Sequence, residues 1–511
     1  MNNLDLLIYS AITLAIVSFI FIIWGYVKTL RNSPRELWFL YASKIIEYGA
    51  YGAANLSFVL YLSKDCGLSD IKAGSFIGFW SIFVTIATIL VGSVVDAIGV
   101  RRTLLMGTIF LILGRIVFPL TNNIYLVATL GFFPIALGIG ILGPVLSIGV
   151  KRWTTRETST LGFGLLYTLF NVGWALGGWI FDRVRVPLGG HAIVQVPFVG
   201  SMSTYQIIFA TSFFLTFPVL FLTYFMREGV EFTAEGKVVI NPPKEKMVGN
   251  IFTVMGAVIR KAAADTIKIF KSVVSEKSFW VYIGMLGLLV FIRLVFFHFH
   301  YTFPKYGTRV LGEAVKIGSI YSVLNPVMIV FLTPAFSVLT RKISSYRMMI
   351  VGTLISCSAI FVASLPGDTF ASLMNTWVGE IVFNRWLEVP LALQKPVFLN
   401  LVFMVIIFTT GEAIWSPRLL QFSAEIAPHG KDGTYVAMSY LPYFLAKMIA
   451  GPLSGWLVQT YTPEGASSYP NHFWVWIWIG GMAFISPLGL IIFRKVFYRA
   501  EMEHGERAAR A

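Results

Sequence analysis

The sequence predicts an all-α integral membrane protein with two six-helix halves and one extra N-terminal transmembrane helix. Three observations carry this. The chain has 511 residues, 56% hydrophobic and only 13% charged, too apolar for a soluble protein whose elements each need a polar face. Apolar runs near 20 residues recur from end to end, the length that crosses about 30 Å of hydrocarbon at about 1.5 Å per residue. The basic residues are also divided unevenly between the loops.

Thirteen spans are expected, near 5–27, 37–62, 74–96, 103–120, 124–149, 161–181, 204–226, 278–301, 314–338, 348–365, 397–417, 434–459 and 473–496. If the loop after the first span is cytoplasmic, the loops and tail on that side hold 27 of the 40 Lys and Arg. The opposite loops hold eight, and five lie inside spans, with Arg494 and Lys495 counted in the tail. This is the positive-inside bias, which sets orientation. The net charge of +15 therefore reads as topology and contact with anionic lipid, not as a nucleic-acid surface. A plasma membrane, such as a bacterial inner membrane, is the expected setting.

The first span, MNNLDLLIYSAITLAIVSFIFIIWGYV, lacks a basic start and a small-residue cleavage site. It reads as a retained helix with an outward N-terminus rather than a signal peptide. The organisation is 1–34 as this helix with a basic linker and 35–226 as the first half. Residues 227–277 form a cytoplasmic linker, 278–497 the second half and 498–511 a cytoplasmic tail. The linker begins polar. It continues as NIFTVMGAVIRKAAADTIKIFKSVV, with Arg260, Lys261, Lys268 and Lys271 among apolar positions at helical spacing, the pattern of a helix lying on the inner membrane surface.

Weak internal symmetry pairs the halves. The run Arg102 to Thr108 (RTLLMGT) is similar to Arg347 to Thr353 (RMMIVGT), and Gly178-Trp179 to Gly455-Trp456. Repeats around a midplane site are the architecture of alternating-access carriers. Cys66 in an outer loop and Cys357 in a span are not expected to bridge, and no Cys/His cluster has metal-ligand spacing. His298 and His300 are expected to pack near a span end. No cofactor is expected. No nucleophile–base set or phosphate loop appears, so an enzyme is the least favoured class.

Ionisable residues at membrane depth survive mainly where they face a cavity, a counter-charge or a substrate path. Glu412, in LNLVFMVIIFTTGEAIWSP, is the foremost of them, with Pro417 loosening its helix. Lys44 and Glu47 stand three apart and share a helix face, either as an ion pair or as a coupling or substrate pair; Tyr48 and Tyr51 extend that face. Arg115, near an outer end, is expected to snorkel. Arg293 is deeper and could meet a substrate carboxylate or Glu47. Lys447 could pair with Glu412 or reach the inner interface. Arg418 reads as topological, and Asn171 as a bond between helices.

The loop Gly92-Ser-Val-Val-Asp96-Ala-Ile-Gly99-Val-Arg101-Arg102 resembles the cytoplasmic signature of the major facilitator superfamily. Gly92 would allow close helix approach, Gly99 a tight turn, and Asp96 a pairing or cap at the inner gate. The motif Gly411-Glu412 with Ser416-Pro417, then Ile426-Ala427-Pro428 and Gly433-Thr434, resembles the tenth-helix signature of the proton-dependent oligopeptide transporter (POT) family. Its fourth helix is similar to Ala136 through Gly140 with Pro144, its fifth to Asn171-Val-Gly173, and its eighth to Leu324-Asn325-Pro326 with Pro334. Glu47 and Tyr51 occupy places resembling its first-helix motif. The resemblance spans about 44–455.

The resemblance implies a central cavity open alternately to each side, with Glu412 and Asn325 at the substrate and an inward proton gradient as driver. Together with the intramembrane charges above, it gives the candidate residues Glu412, Asn325, Tyr51, Arg293 and Tyr48 for substrate, Glu47, Lys44 and Lys447 for proton coupling or ion pairing, and Gly92, Asp96, Gly99, Arg101 and Arg102 for gating. The chain departs from the family pattern where Lys44 and Tyr48 replace Glu and Arg, where Gly143 replaces a lysine, and where the seventh span carries Arg293 instead of Glu. A position usually small or polar is Lys447. The expected function is secondary active transport of a small solute, di- or tripeptides foremost, by proton symport. A uniporter or exporter of another organic ion is the alternative, or a non-transporting sensor or assembly factor on the same fold. The expected partners are the substrate, protons and the lipid bilayer, not nucleic acid, with a monomer as the default.

Overall fold

A computed structural model describes residues 3–499, apart from single positions 156, 191 and 198, residues 234–236, most of 242–275, and residues 427–437 and 440. Thirteen long helices are present among the described residues. They are α1 (Asn3–Leu30), α2 (Arg35–Lys64), α3 (Asp70–Ile98), α4 (Val100–Arg115), α5 (Phe133–Arg152), α6 (Ser159–Leu188) and α7 (Thr204–Tyr224), then α8 (Lys277–Tyr301), α9 (Leu324–Leu339), α10 (Ser345–Val362), α11 (Val397–Glu425), α12 (Leu441–Tyr461) and α13 (Phe473–Ile492). Each matches a predicted span. Eleven are long and apolar enough to cross a bilayer on composition alone. The exceptions, α2 and α12, carry charges in their middles. Protein rather than lipid surrounds α2, which packs between α6 and α7, so hydrocarbon does not dictate its composition.

Local chemistry sets the ends. Ser69, Ser203 and Ser344 each accept a hydrogen bond from the backbone three residues on, satisfying N–H groups a helix start leaves orphaned. At Gly99, φ is +86°, a conformation open to glycine at little cost; it makes the expected turn between α3 and α4. Before α9 the backbone widens into a π turn over Ser319–Val323. Pro326 cannot donate to the ladder, and such a turn re-arranges carbonyls that a proline leaves unpaired.

The repeats noticed in the sequence occupy matching places. Gly107 of α4 lies against Ile141 and Leu142 of α5, and Gly352 of α10 against Gly411 and Trp415 of α11. Gly178 of α6 meets Gly318 and Ser322 of the second half, and Gly455 of α12 meets Asp70 and Ile71 of the first. The two halves thus present equivalent glycines to each other.

The N-terminal helix stands largely apart. Its apolar span is unburied by protein, and Ile23, Tyr26 and Leu30 near its end join the core, with the Tyr26 ring against Gly164 of α6. At its other end Asp5 pairs with Arg385, in the outer loop of the second half, at 2.9 Å. Two short hairpins complete the fold, β1 (Ile193–Val196) with β2 (Gly200–Ser203) outside, and β3 (Val230–Phe232) with β4 (Val238–Ile240) opening the linker. Most of the amphipathic segment expected in the linker, and the motif residues Ala427, Pro428, Gly433 and Thr434, lie outside the described residues.

Candidate functional site

Glu412 is buried on α11, where a bare carboxylate would be costly. The Asn325 amide of α9 donates to it at 2.7 Å and to the Thr409 hydroxyl, one turn earlier on α11, at 2.9 Å. The structure therefore joins Glu412 and Asn325 as expected, with Thr409 as a third member. Gly411 lets α11 sit directly on α10, while Glu412, one residue on, points toward α9. Facing them across the interface is Tyr167 of α6, within electrostatic reach of Glu412, Arg293 and Tyr443. Tyr167 is nevertheless 39% exposed, so open space lies between the halves here.

An aromatic belt surrounds this space. Tyr48 contacts Tyr51 and Phe170, Tyr51 contacts Trp174, and Trp174 contacts His300 of the second half at 4.8 Å between ring centroids. His300 in turn contacts Tyr321. The predicted substrate residues Tyr48 and Tyr51 thus lie on this belt. His298 and His300 are built into helix α8, bonded to Thr302 at 2.7 Å and to the Phe296 carbonyl at 2.6 Å.

Glu47 and Lys44 do not pair. Glu47 instead takes a two-pronged bond from Arg115, at 2.6 and 2.9 Å, and Arg115 also donates to Thr216. Both charged groups are buried. Arg115 therefore does not snorkel, and Arg293 does not meet Glu47. Sequence position shows how deep Arg115 lies, but the rotation of α4 turns it inward toward α2. Lys44 rests over the rings of Tyr48 (3.8 Å) and Phe170 (4.9 Å). Arg293 stacks on Tyr443 (3.9 Å) and Trp415 (4.4 Å), and its Nε and Nη1 find no hydrogen-bond partner among the described residues. Lys447 neither joins Glu412 nor reaches the inner interface; it lies near Trp80 and Phe297. Asn171 bonds the Tyr167 carbonyl of its own helix at 2.9 Å, not another helix. Arg418 is buried rather than merely topological, bonding Thr340 at 2.7 and 2.9 Å.

The residues assigned to gating lie on the inner side, within the first half. Asp96 pairs with Arg152 at 3.3 Å. Arg101 donates to the Tyr224 carbonyl at 2.8 Å, and Arg102 pairs with Glu228 at 2.7 Å. Gly92 does not mediate close packing, since a Cβ there would meet open space. Nearby Glu36, outside the span, is pushed up by burial. The Arg227 guanidinium and backbone N–H outweigh this and hold its carboxyl below the usual carboxylate value.

Among the described residues, every ion pair crossing between the halves is on the outer side. Asp70 of α3 pairs with Lys305 at 2.7 Å and with Arg309 at 2.7 and 2.9 Å. Glu313 pairs with Lys64 and, at 3.5 Å, with Arg185. Asp182 accepts from the backbone of Gly318 (2.9 Å) and Ser319 (2.6 Å). Burial draws the Lys305 ammonium down to about 8 despite Asp70 beside it. Below this lock α3 and α12 nearly touch, because a Cβ on Gly74 would lie 2.1 Å from the Gly451 carbonyl oxygen. The outer side is sealed. Sequence reading missed the lock, whose partners lie hundreds of residues apart; the one available signal was the charge of outer-loop residues flanking spans.

The family profile described as Major Facilitator Superfamily matches residues 40–386. The di-/tripeptide transporter of Lactococcus lactis subsp. lactis (strain IL1403) is 22% identical over 474 residues, 81% of this chain and 88% of that protein. A protein of the same description from Lactococcus lactis subsp. cremoris is equally similar. The crystal structure of a peptide transporter POT in complex with sulfate has a TM-score of 0.63 at 18% identity, covering 91% of this chain and 96% of that one. A POT family transporter in complex with 5-aminolevulinic acid gives 0.63 at 18%, covering 92% and 99%. At these identities the solved structures speak to the fold alone.

Proposed function

Because the chain belongs to the major facilitator superfamily, we propose that it is a secondary active carrier moving a small solute by alternating access, with di- or tripeptides as the substrate class and protons as the coupling ion. The observation that carries this is Glu412: a buried carboxylate bonded to Asn325 at 2.7 Å, facing Tyr167 across open space between the halves. In a low-dielectric lumen one carboxylate interacts far more strongly with a cation than in water. A peptide amino group is such a cation, and a proton is its substitute on the return. Similarity to the lactococcal di-/tripeptide transporter supports the substrate class. Glu412 and Asn325 are the proposed contacts for the amino end, with Tyr48 and Tyr51 lining the path.

The sealed outer lock and the open space at Tyr167 support an inward-facing arrangement. For transport the lock must open, Gly74 and Gly451 must part, and the inner ends of the halves must close. The Glu47–Arg115 pair is internal to the first half and moves with it as a unit. This makes it a brace in our reading, and leaves Glu412 as the proton-carrying carboxylate.

The test is uptake of labelled dipeptide into proteoliposomes with an imposed pH gradient. Uptake should rise with inward acidity and be abolished by Glu412→Gln. Uptake that ignores both the gradient and the substitution would overturn the proton–peptide reading.

A further inference from the structure

The lumen holds more positive charge than one carboxylate can balance. Lys44, Arg293 and Lys447 are all buried or nearly so, at 6%, 3% and 9% exposure. Among the described residues, none of the three joins an ion pair. Each is held by aromatic faces: Lys44 by Tyr48 and Phe170, Arg293 by Tyr443 and Trp415, Lys447 by Trp80 and Phe297. Ring faces attract cations but do not replace a counter-ion. Among the described residues, two guanidinium nitrogens of Arg293 have no hydrogen-bond acceptor.

The other charges nearby do not compensate. Glu47 is already neutralised by Arg115. Glu412, the remaining carboxylate, accepts a hydrogen bond from Asn325 and lies within electrostatic reach of Arg293, so it offsets part of one cation and leaves the two lysines without a counter-charge among the described residues. His300 lies between the groups, within electrostatic reach of Lys447 and against Trp174 and Tyr321. It bonds a backbone carbonyl, so it supplies no negative charge. Pairwise contacts link the groups across the interface between the halves. The aromatic belt runs from Lys44 through Phe170 and Trp174 to His300, and Arg293 and Glu412 both face Tyr167. A buried cation without a partner is strongly unfavourable, and a ligand carboxylate removes that penalty on binding.

We propose that this lumen selects solutes with net negative charge, Lys44, Arg293 and Lys447 binding carboxylates while Glu412 takes any amino group. The proposal rests on the carrier reading but not on the peptide reading. Acidic peptides and small dicarboxylates satisfy it equally, and the test separates them.

Proteoliposomes containing the full chain are assayed with four labelled probes: alanyl-glutamate, alanyl-alanine, alanyl-lysine and succinate. We expect alanyl-glutamate to exceed alanyl-lysine by about tenfold or more in initial rate, the effect of one strong charge contact. Lys447→Gln and Lys44→Gln should lower the ratio of alanyl-glutamate to alanyl-alanine uptake several-fold. Because the ratio is read within one preparation, a variant that folds poorly does not imitate the result. Uptake of succinate but no peptide upholds this inference and overturns the peptide reading. Equal uptake of the three peptides, or ratios unchanged in both lysine variants, overturns this inference and leaves the peptide carrier standing. No uptake of any probe overturns both.

Discussion

Replacing Arg115 with Met would leave the Glu47 carboxylate buried without its partner. The native contact is two-pronged, at 2.6 and 2.9 Å, and Arg115 is fully buried. Removing one member of such a pair costs about 3–5 kcal/mol, because the other charge stays desolvated and unpaired. Removing both charges, as in Glu47→Gln with Arg115→Met, costs far less, within about 1 kcal/mol of the parent by the same reasoning. In a chain this long each kcal/mol moves Tm by about 1 °C. Arg115→Met alone should therefore lower Tm by about 3–5 °C, and adding Glu47→Gln should restore most of it. Thermal unfolding of the detergent-purified protein measures both, as a double-mutant cycle. A single variant within about 1 °C of the parent, or a double variant no better than the single, would refute the reading of this pair as a buried brace.

Asp70→Asn should weaken the outer lock by about 2 kcal/mol, roughly a 30-fold shift toward the outward-facing form. With Cys66 and Cys357 replaced, Tyr167→Cys would report this as faster labelling by an impermeant thiol reagent added outside; an unchanged rate sinks the assignment. Gly451→Val should hold the outer side apart, since a Cβ there would lie 2.5 Å from the Gly74 carbonyl oxygen. Uptake should fall while outside labelling of Tyr167→Cys rises, and a variant that transports normally would count against the seam. The Glu36–Arg227 pair should be acid-sensitive. Because the folded-state value of Glu36 is lowered, its contribution is complete above the ordinary carboxylate range and is lost as pH falls through the folded value. Proteolysis near Arg227 should increase in that acidic window for the parent, and Arg227→Gln should remove the pH step.

Much of this fold was legible because the bilayer imposes one length and one composition on every lipid-facing helix. Even α2 and α12, whose charges keep them from qualifying as spans on composition alone, were legible as apolar runs of spanning length. Glu412 was legible for the converse reason, since a polar group in an apolar run stands out and the solvent it lacks must be supplied by something, whereas Asn325 was reached only through the resemblance of Leu324-Asn325-Pro326 to a family motif. What could not be read was rotation. Lys44 and Glu47 share a helix face by spacing, yet Glu47 turns to α4 and Lys44 to a pair of rings. The depth of Arg115 suggested an exit to the interface, whereas its azimuth directs it into the bundle. Contacts such as Asp70 with Arg309 depend on two halves meeting, which no local pattern records. Gly92 fell the other way: the motif suggested close packing, and the nearest helices pack instead at Gly74 and Gly78.

The N-terminal helix has a mechanical consequence. At 28 residues it is a rod of about 42 Å, anchored by Tyr26 on the first half and by Asp5 on an outer loop of the second. A rod cannot lengthen. When the halves turn against each other, the displacement must be taken up at one of its joints, and the Asp5–Arg385 joint is the weaker, since Arg385 is half exposed. On this geometry the helix would act as a strut with one fixed foot and one sliding foot. The load on that sliding foot would bias how long the carrier dwells in each of its two postures.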